Sequence, residues 1–368
     1  MTHFNIFKTE GMKVAVTGAS GFIGGRLVER LCQGGDARPV AVIRASSPRY
    51  YLSPFPCEVR IANYKEPTSL QAAFAGCDAL VHCAFDFSPS DRTSLIEQNL
   101  IALYNVARAA HAAGIQRMVS LSSTAVYGYK HRGPIDESTP YESEPDPYAE
   151  AKQKCEALLE LLVRASGPST AILQPGIVYG PRAYWATSFA EYARKGQIIL
   201  PDSGMGICNA IYIDDVIETI MAALTHLPNV HLQRYLVVGP SACTWREYAD
   251  YFLQACGQGL VQDWAKKERQ AQRMSRLIGI LKSLYAPFKS FSTTKRLLKP
   301  VSDWGKAKLA ATSFPDRSLV PILTNRSIYK GAKAQTELGY MAQFGLGAGM
   351  ALTMSWLRFA RLLGVDEV

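Results

Sequence analysis

The feature that most limits the fold of this chain lies near its start. Residues 13–17, Lys-Val-Ala-Val-Thr, form a short apolar run, and Gly18-Ala-Ser-Gly21-Phe-Ile-Gly24 follows at once. Such a run, bounded by glycine, reads as a strand buried on both faces, the kind that parallel sheets use. A helical pattern then extends from Phe22 to about Cys32, with Ile23, Leu27, Val28 and Leu31 on one face, and Gly34-Gly35 ends it. The G-x-x-G-x-x-G spacing between strand and helix has a physical use. It allows a tight turn, and it lets a pyrophosphate reach the free N–H groups and positive dipole of the helix N-terminus. Gly18, Ser20, Gly21, Phe22, Ile23 and Gly24 are therefore candidate contacts for a dinucleotide. The plain alternative is a glycine-rich structural turn.

Further along, residues 40–43, 57–61, 79–83, 118–121, 171–174 and 235–238 read as more strands, and residues 94–113 have helical composition. Strands alternating with helices predict an α/β fold with a doubly wound parallel sheet. The expected division is a tail at 1–11, a dinucleotide-binding domain at 12–181, and a less regular region at 182–368. That last region holds a smaller substrate lobe and returns elements to the main domain. Residues 344–357 carry no charge but are too few to span a bilayer, and they read as a core helix with its lead-in loop.

Composition excludes several classes. The eight cysteines form no C-x-x-C pair and match no histidine at zinc-ligand spacing, so no metal is expected. Free thiols suit a reducing compartment, and residues 1–12 lack the apolar core of a secretory leader. A cytoplasmic protein is the expectation. The net charge of +9 is local: residues 266–300 hold ten Lys/Arg and one acid, Glu268. Within them Met274, Leu277, Ile278, Leu281, Leu284, Tyr285 and Phe288 form a stripe flanked by Arg273, Arg276, Lys282 and Lys289. A basic amphipathic helix can rest on an anionic membrane surface, cover an apolar substrate, or simply pack on the lobe. No nucleic-acid-binding module accompanies it.

The second strand ends at Arg44, with Ser46, Ser47 and Arg49 close behind. Sites for NAD usually place an acid there for the ribose hydroxyl, whereas a guanidinium suits a 2′-phosphate. NADP is thus preferred over NAD, although an arginine stacked on adenine admits both. Asn63, after the third strand, is a candidate adenine contact, and Ala84, after the fourth, joins the expected cofactor set.

Tyr148 and Lys152 stand four apart and so share one helix face. A free tyrosine titrates near ~10, and a neighbouring ammonium is expected to lower that value and make the phenol a usable acid/base. The lysine can also hold a nicotinamide ribose. Upstream, Ser122-Ser123-Thr124-Ala125-Val126-Tyr127-Gly128 follows directly on a strand, and the C-terminal ends of strands are where open α/β sheets carry their chemistry.

Together these segments resemble the extended short-chain dehydrogenase/reductases. That superfamily has a Rossmann-type sheet and includes sugar-nucleotide epimerases and dehydratases, 3β-hydroxysteroid dehydrogenase-like enzymes and dihydroflavonol reductase-like enzymes. Further matches are Gln174-Pro-Gly-Ile-Val-Tyr-Gly-Pro181, with Gln174 where the family has arginine, Ile211-Tyr-Ile-Asp-Asp-Val216, and Ala332-Lys-Ala with Leu338-Gly-Tyr340. The resemblance implies Ser123 as the catalytic hydroxyl, Tyr148 as proton donor and acceptor, and Lys152 as its modulator and ribose ligand. It implies Asn99 as the family's helix asparagine and places Pro175 and Val178 beside the nicotinamide.

Subfamily patterns narrow the reaction. Thr124 and Ala125 stand where the 4,6-dehydratases carry Asp-Glu, so dehydration is not expected. Cys208, Asn209 and Ala210 fill the stretch where many epimerases carry a diphosphate-gripping arginine, although Arg182, Arg194 or Lys195 could substitute. The expectation is an NAD(P)-dependent alcohol/ketone oxidoreductase acting on a small, lipid-like or other non-nucleotide molecule. The alternatives are a sugar or nucleotide-sugar epimerase and a non-catalytic NAD(P)-sensing protein. Family members often form homodimers, which is the expected assembly.

Overall fold

The computed structural model describes residues 11–35, 37–228, 231–257, 259–269, 273, 276–277 and 317–363. Most of the basic segment at 266–300, with all of its apolar stripe except Leu277, lies outside the described residues.

A seven-stranded parallel sheet forms the frame. Its strands are β1 (Lys13–Thr17), β2 (Arg38–Ile43), β3 (Glu58–Ile61), β4 (Ala79–His82), β5 (Arg117–Leu121), β7 (Ser169–Pro175) and β12 (Leu232–Val237). The spatial order is β3-β2-β1-β4-β5-β7-β12. Every expected strand is present. Helices α1 (Phe22–Gly34), α2 (Pro67–Phe74), α3 (Arg92–Ala112), α4 (Pro147–Ser166) and α6 (Ile213–His226) accompany it. The chain leaves β1 toward β2 and later returns to β4 on the other side of β1. That reversal opens a crevice at the carboxyl ends of β1 and β4, where α/β sheets take their ligands.

Local chemistry explains the helix ends. Gly35, at φ 72°, closes α1 in the left-handed region. Asp91 caps α3 by accepting from Ser94 N at 2.9 Å. Asp146 caps α4 by accepting from Tyr148 N and Ala149 N, both at 2.9 Å, and Pro147 occupies the first helical position. One face of the sheet buries Val40, Val42, Leu80, Met118 and Ile172 against Leu70, Phe74, Leu103, Val106, Leu159 and Val163 from α2, α3 and α4. Each such side chain contributes roughly 1.5–3 kcal/mol. α1 and α6 are joined by ion pairs, Arg26–Asp214 at 2.6 Å and Arg30–Glu218 at 2.7 Å.

The chain divides into two compact units. The main unit runs to Ala186 and adds Asn209–Ala242 and Ser327–Thr353. It contains the sheet, β6 (Arg132–Ile135), β8 (Ile177–Tyr179), β11 (Ala210–Tyr212), β15 (Arg326–Tyr329, from its second residue), α8 (Ala332–Leu338) and the start of α9 (Leu346–Phe359). The expected core helix near 344–357 is α9. Asp215 draws this late segment in: it accepts from the Tyr340 hydroxyl, from Gln343 N at 2.8 Å and from Phe344 N at 3.1 Å. Two of the sequence matches, Ile211–Val216 and Leu338–Tyr340, therefore meet as a structural fastening. Asn209 likewise holds β15, donating to Ser327 O at 3.0 Å and accepting from Tyr329 N at 3.1 Å.

The second unit combines Thr187–Cys208, Cys243–Arg326 and the chain from Met354. Strands β9 (Gln197–Leu200) and β14 (Leu260–Asp263) pair in parallel. α7 (Trp245–Ala255) opens with a capping box between Thr244 and Glu247. Phe189, Trp245, Tyr248 and Phe252 pack as a ring cluster in its core. Among the described residues, no helix is long and apolar enough to cross a membrane. No group of three or more His, Cys, Asp or Glu among them could hold a metal ion.

Candidate functional site

The crevice beside β1 and β4 holds a cavity of about 450 Å³, within the usual range for a small-molecule site. Of the residues singled out in the sequence, Gly18, Ser20, Gly21, Arg44, Asn63, Ala84 and Asn99 line it. Phe22, Ile23 and Gly24 form the first turn of α1 behind that lining. The cradle is one that side chains would fill. A Cβ on Gly18, which sits at φ 68°, would lie 2.8 Å from Ala84 N, and one on Gly24 would run into the Gly18 carbonyl. A glycine-lined backbone beside a helix N-terminus fits the pyrophosphate of a dinucleotide.

Arg44 is on the cavity rim, with its side chain 59% exposed and Asp86 Oδ2 at 3.5 Å. Asn63 donates to Glu66 Oε1 at 2.7 Å and accepts from Lys65 N at 3.1 Å, which shapes its loop. Asn99 braces the chain after β4. It accepts from Asp86 N at 2.8 Å and donates to Asp86 O at 2.9 Å and Leu95 O at 2.8 Å. Tyr64 was not singled out in the sequence, yet it lines the cavity and accepts from Gly18 N at 3.4 Å. Arg182, a candidate diphosphate cation, instead lies over the Tyr51 ring at 3.3 Å and donates to Gly21 O at 3.5 Å.

The catalytic candidates gather on the first turns of α4 and at the end of β5. Ser123 starts a single 3₁₀ turn, Thr124–Tyr127, and accepts from Ala125 N at 3.2 Å. Its side chain favours the ionised form of the Tyr148 phenol. Lys152 is only 7% exposed, donates to Leu121 O at 2.9 Å, and stands 4.3 Å from the Phe85 ring centre and 5.9 Å from that of Tyr148. Tyr148 and Lys152 share one face of α4, and Lys152 reaches the end of β5, two residues before Ser123. Pro175 ends β7, and Val178 pairs with Ile211 on β11; both lie outside the lining of the cavity.

One expectation about this group needs correcting. Lys152 does not pull the Tyr148 phenol down. Burial pushes Tyr148 up to about 12, and the side chain that opposes this is Ser123. Lys152 gives up its proton first, so it carries no charge by the time the phenol would ionise. Burial also pushes Lys152 down to about 8.

Two aromatic rings at the site carry no sequence signature. Phe85 lines the cavity and also meets Tyr148 edge-on at 5.3 Å. Phe87, 70% exposed, stacks on Tyr148 at 5.6 Å. An alternation of aromatics after a strand is too common to flag; only the path of the 84–91 loop brings these two to the tyrosine.

The chain is similar to several known proteins. It is 34% identical over 173 residues to a protein of Synechocystis sp. provisionally named dihydroflavonol 4-reductase, covering 45% of this chain and 49% of that one. It is 30% identical over 224 residues to 2-alkyl-3-oxoalkanoate reductase of Stenotrophomonas maltophilia, covering 58% of this chain and 64% of that one. The chain therefore spans about half to two thirds of these relatives' length. Its fold is that of the Bordetella bronchiseptica enzyme WbmG, solved in complex with NAD and UDP, at a TM-score of 0.70 and 18% identity over 96% of each chain. Residues 14–239 match the NAD dependent epimerase/dehydratase family, and they carry the glycine cradle, the Ser123–Tyr148–Lys152 group and the sheet between them. The chain belongs to that family.

Proposed function

We propose that this chain is a nicotinamide-dependent oxidoreductase that reduces a ketone or aldehyde to an alcohol. The observation that carries this reading is the Tyr148 phenol on one helix face with Lys152, whose ammonium stands 5.9 Å from its ring centre, with the rings of Phe85 and Phe87 against it. Burial pushes the phenol up to about 12, so it holds its proton at neutral pH. In reduction Tyr148 gives its Oη proton to the carbonyl oxygen, while the Ser123 hydroxyl orients that oxygen. Lys152, ammonium below about pH 8, lends positive charge to the site. A bound nicotinamide dinucleotide supplies the hydride. Gly18, Gly21 and Ala84 would hold it. Arg44, exposed on the rim beside Ser47, would pair with a 2′-phosphate, which supports NADP over NAD.

The substrate reading is an apolar or aromatic carbonyl compound. The two rings beside the phenol offer apolar surface and π-faces where a diphosphate sugar would want polar partners. Epimerisation would draw on the same Ser123, Tyr148 and Lys152, so reaction products decide between them. The purified chain is incubated with NADPH or NADH and, separately, acetophenone, flavanone, ethyl acetoacetate and UDP-glucose. Loss of reduced-nicotinamide absorbance with an apolar ketone, faster with NADPH, is expected. Conversion of UDP-glucose to its epimer with no net change in absorbance would replace the reductase reading.

A further inference from the structure

The helix that carries Tyr148 and Lys152 has a third member of the same face. Glu156 lies one turn beyond Lys152, and i, i+4, i+8 positions stack along one side of an α-helix. It is only 2% exposed, so its carboxylate needs partners. Its Oε1 accepts from Ser122 Oγ at 2.5 Å and from Gln174 Nε2 at 3.0 Å. Its Oε2 accepts from Arg234 Nε at 2.9 Å and from the Tyr141 hydroxyl. Gln174 is the residue that replaces an arginine in the resemblance. Here the cation comes instead from Arg234 on β12, whose other nitrogen donates to Glu160 Oε2 at 2.8 Å.

The Ser122 bond gives this network a bearing on the site. Ser122 is the chain neighbour of Ser123. Its backbone N–H is already held by Leu173 O at 2.7 Å, and Leu121 O accepts from Lys152 Nζ at 2.9 Å. The end of β5 is thus tied to α4 at two points. Lys152 and Glu156 thus hold Leu121 and Ser122, the two residues before Ser123, from the helix face that also carries Tyr148.

We propose that Glu156 is a positioning residue for the reaction: through Ser122 it sets where the end of β5 presents the Ser123 hydroxyl to Tyr148, and it places a fixed negative charge one turn from the Lys152 ammonium. The role rests on the oxidoreductase reading above. A buried carboxylate with an apolar alternative is weak evidence for stability alone, so its value lies in geometry and charge. The electrostatics agree. Burial depresses the Lys152 ammonium, and Cys155 and Glu156 act against that depression. The other titratable groups facing the pair are Arg234, Tyr141 and Tyr127 around Glu156, and His82 and Cys83 beside Lys152.

The test compares wild type, Ser122→Ala, Glu156→Gln and the double variant, with NADPH and whichever of the four probes above wild type converts. Ser122→Ala removes the tether and leaves the Arg234 ion pair intact. It is expected to lower kcat by about 10- to 100-fold while KM and the dinucleotide Kd stay within about twofold. Glu156→Gln, which takes away the charge that Ser122 bonds, should do the same, and the double variant should be no slower than Glu156→Gln, because both act on the one Ser122–Glu156 contact. Lys152 is titrated separately by NMR of lysine labelled with ¹³C at Cε, assigned with Lys152→Arg. Its midpoint should fall by about 0.5 or more in Glu156→Gln and stay in place in Ser122→Ala. Wild-type kcat in Ser122→Ala, or an unmoved Lys152 titration in Glu156→Gln, overturns the proposal. The titration needs no substrate. A chain that converts none of the probes therefore overturns the reductase reading, while the NMR arm still decides the role of Glu156.

Discussion

Two regions of the main unit meet at Phe85, and they are built from different material. On one side the cavity rests on backbone: Gly18 against Ala84, Gly24 against the Gly18 carbonyl, and the free N–H groups of α1. On the other side the proposed catalytic face rests on side chains: Tyr148 against Phe85 and Phe87, Lys152 on Leu121 O, and Ser122 on a buried Glu156. The first region leaves no room for an added atom at Gly18 or Gly24. The second depends on which groups hold protons. On the proposed reading, a dinucleotide would be recognised by what the backbone leaves empty, and the reaction governed by what the side chains keep charged or protonated.

The contrast can be broken most sharply at Gly18. Valine there adds a Cβ 2.8 Å from Ala84 N at a backbone φ of 68°. Gly18→Val is expected to abolish binding of NADPH and NADH in fluorescence titrations and to lower unfolding stability by about 3 kcal/mol. Near-wild-type binding would mean that the cradle is not where the dinucleotide sits. The catalytic face should answer to pH instead. The Lys152 ammonium is present below about 8 and lost above it, whereas Tyr148 stays protonated to about 12. Turnover dependent on Lys152 should therefore fall by about tenfold per pH unit above 8, and Lys152→Arg should remove that limb. Dinucleotide Kd measured over the same range should change far less.

Smaller effects sharpen the comparison. Arg44→Ser is expected to weaken NADPH about tenfold relative to NADH, through loss of a charged partner for the 2′-phosphate. An unchanged ratio of the two Kd values would leave Arg44 without a part in cofactor choice. Phe87→Ala should raise KM for an aryl ketone by about three- to tenfold, with the dinucleotide Kd unchanged.

Much of this site could be read along the chain, because its parts are local. The glycine cradle needs only twelve consecutive residues, and the spacing of Tyr148 and Lys152 is the repeat of one helix. The sheet followed from short apolar runs, each of which became a strand. What escaped was non-local or conditional. Glu156 looks like any polar residue of α4 until Ser122, Gln174 and Arg234 converge on it from three strands or strand ends. Phe85 depends on the path of a loop that Asn99 pins from α3. The expected drop in the Tyr148 pKa failed because spacing places a lysine nearby without showing that burial raises the phenol and pushes the lysine down to about 8. The second unit gathers three separated segments, and no motif marks where the chain crosses between units.

The most direct test of the proposed chemistry is a paired measurement on Tyr148→Phe: single-turnover reduction of the best apolar ketone, and dinucleotide Kd, each beside wild type. The expected result is a rate lower by about 10²- to 10⁴-fold with Kd within about twofold, because the substitution removes one proton and leaves the ring against Phe85 and Phe87. A variant that reduces the ketone at the wild-type rate would contradict the assignment of Tyr148 as proton donor.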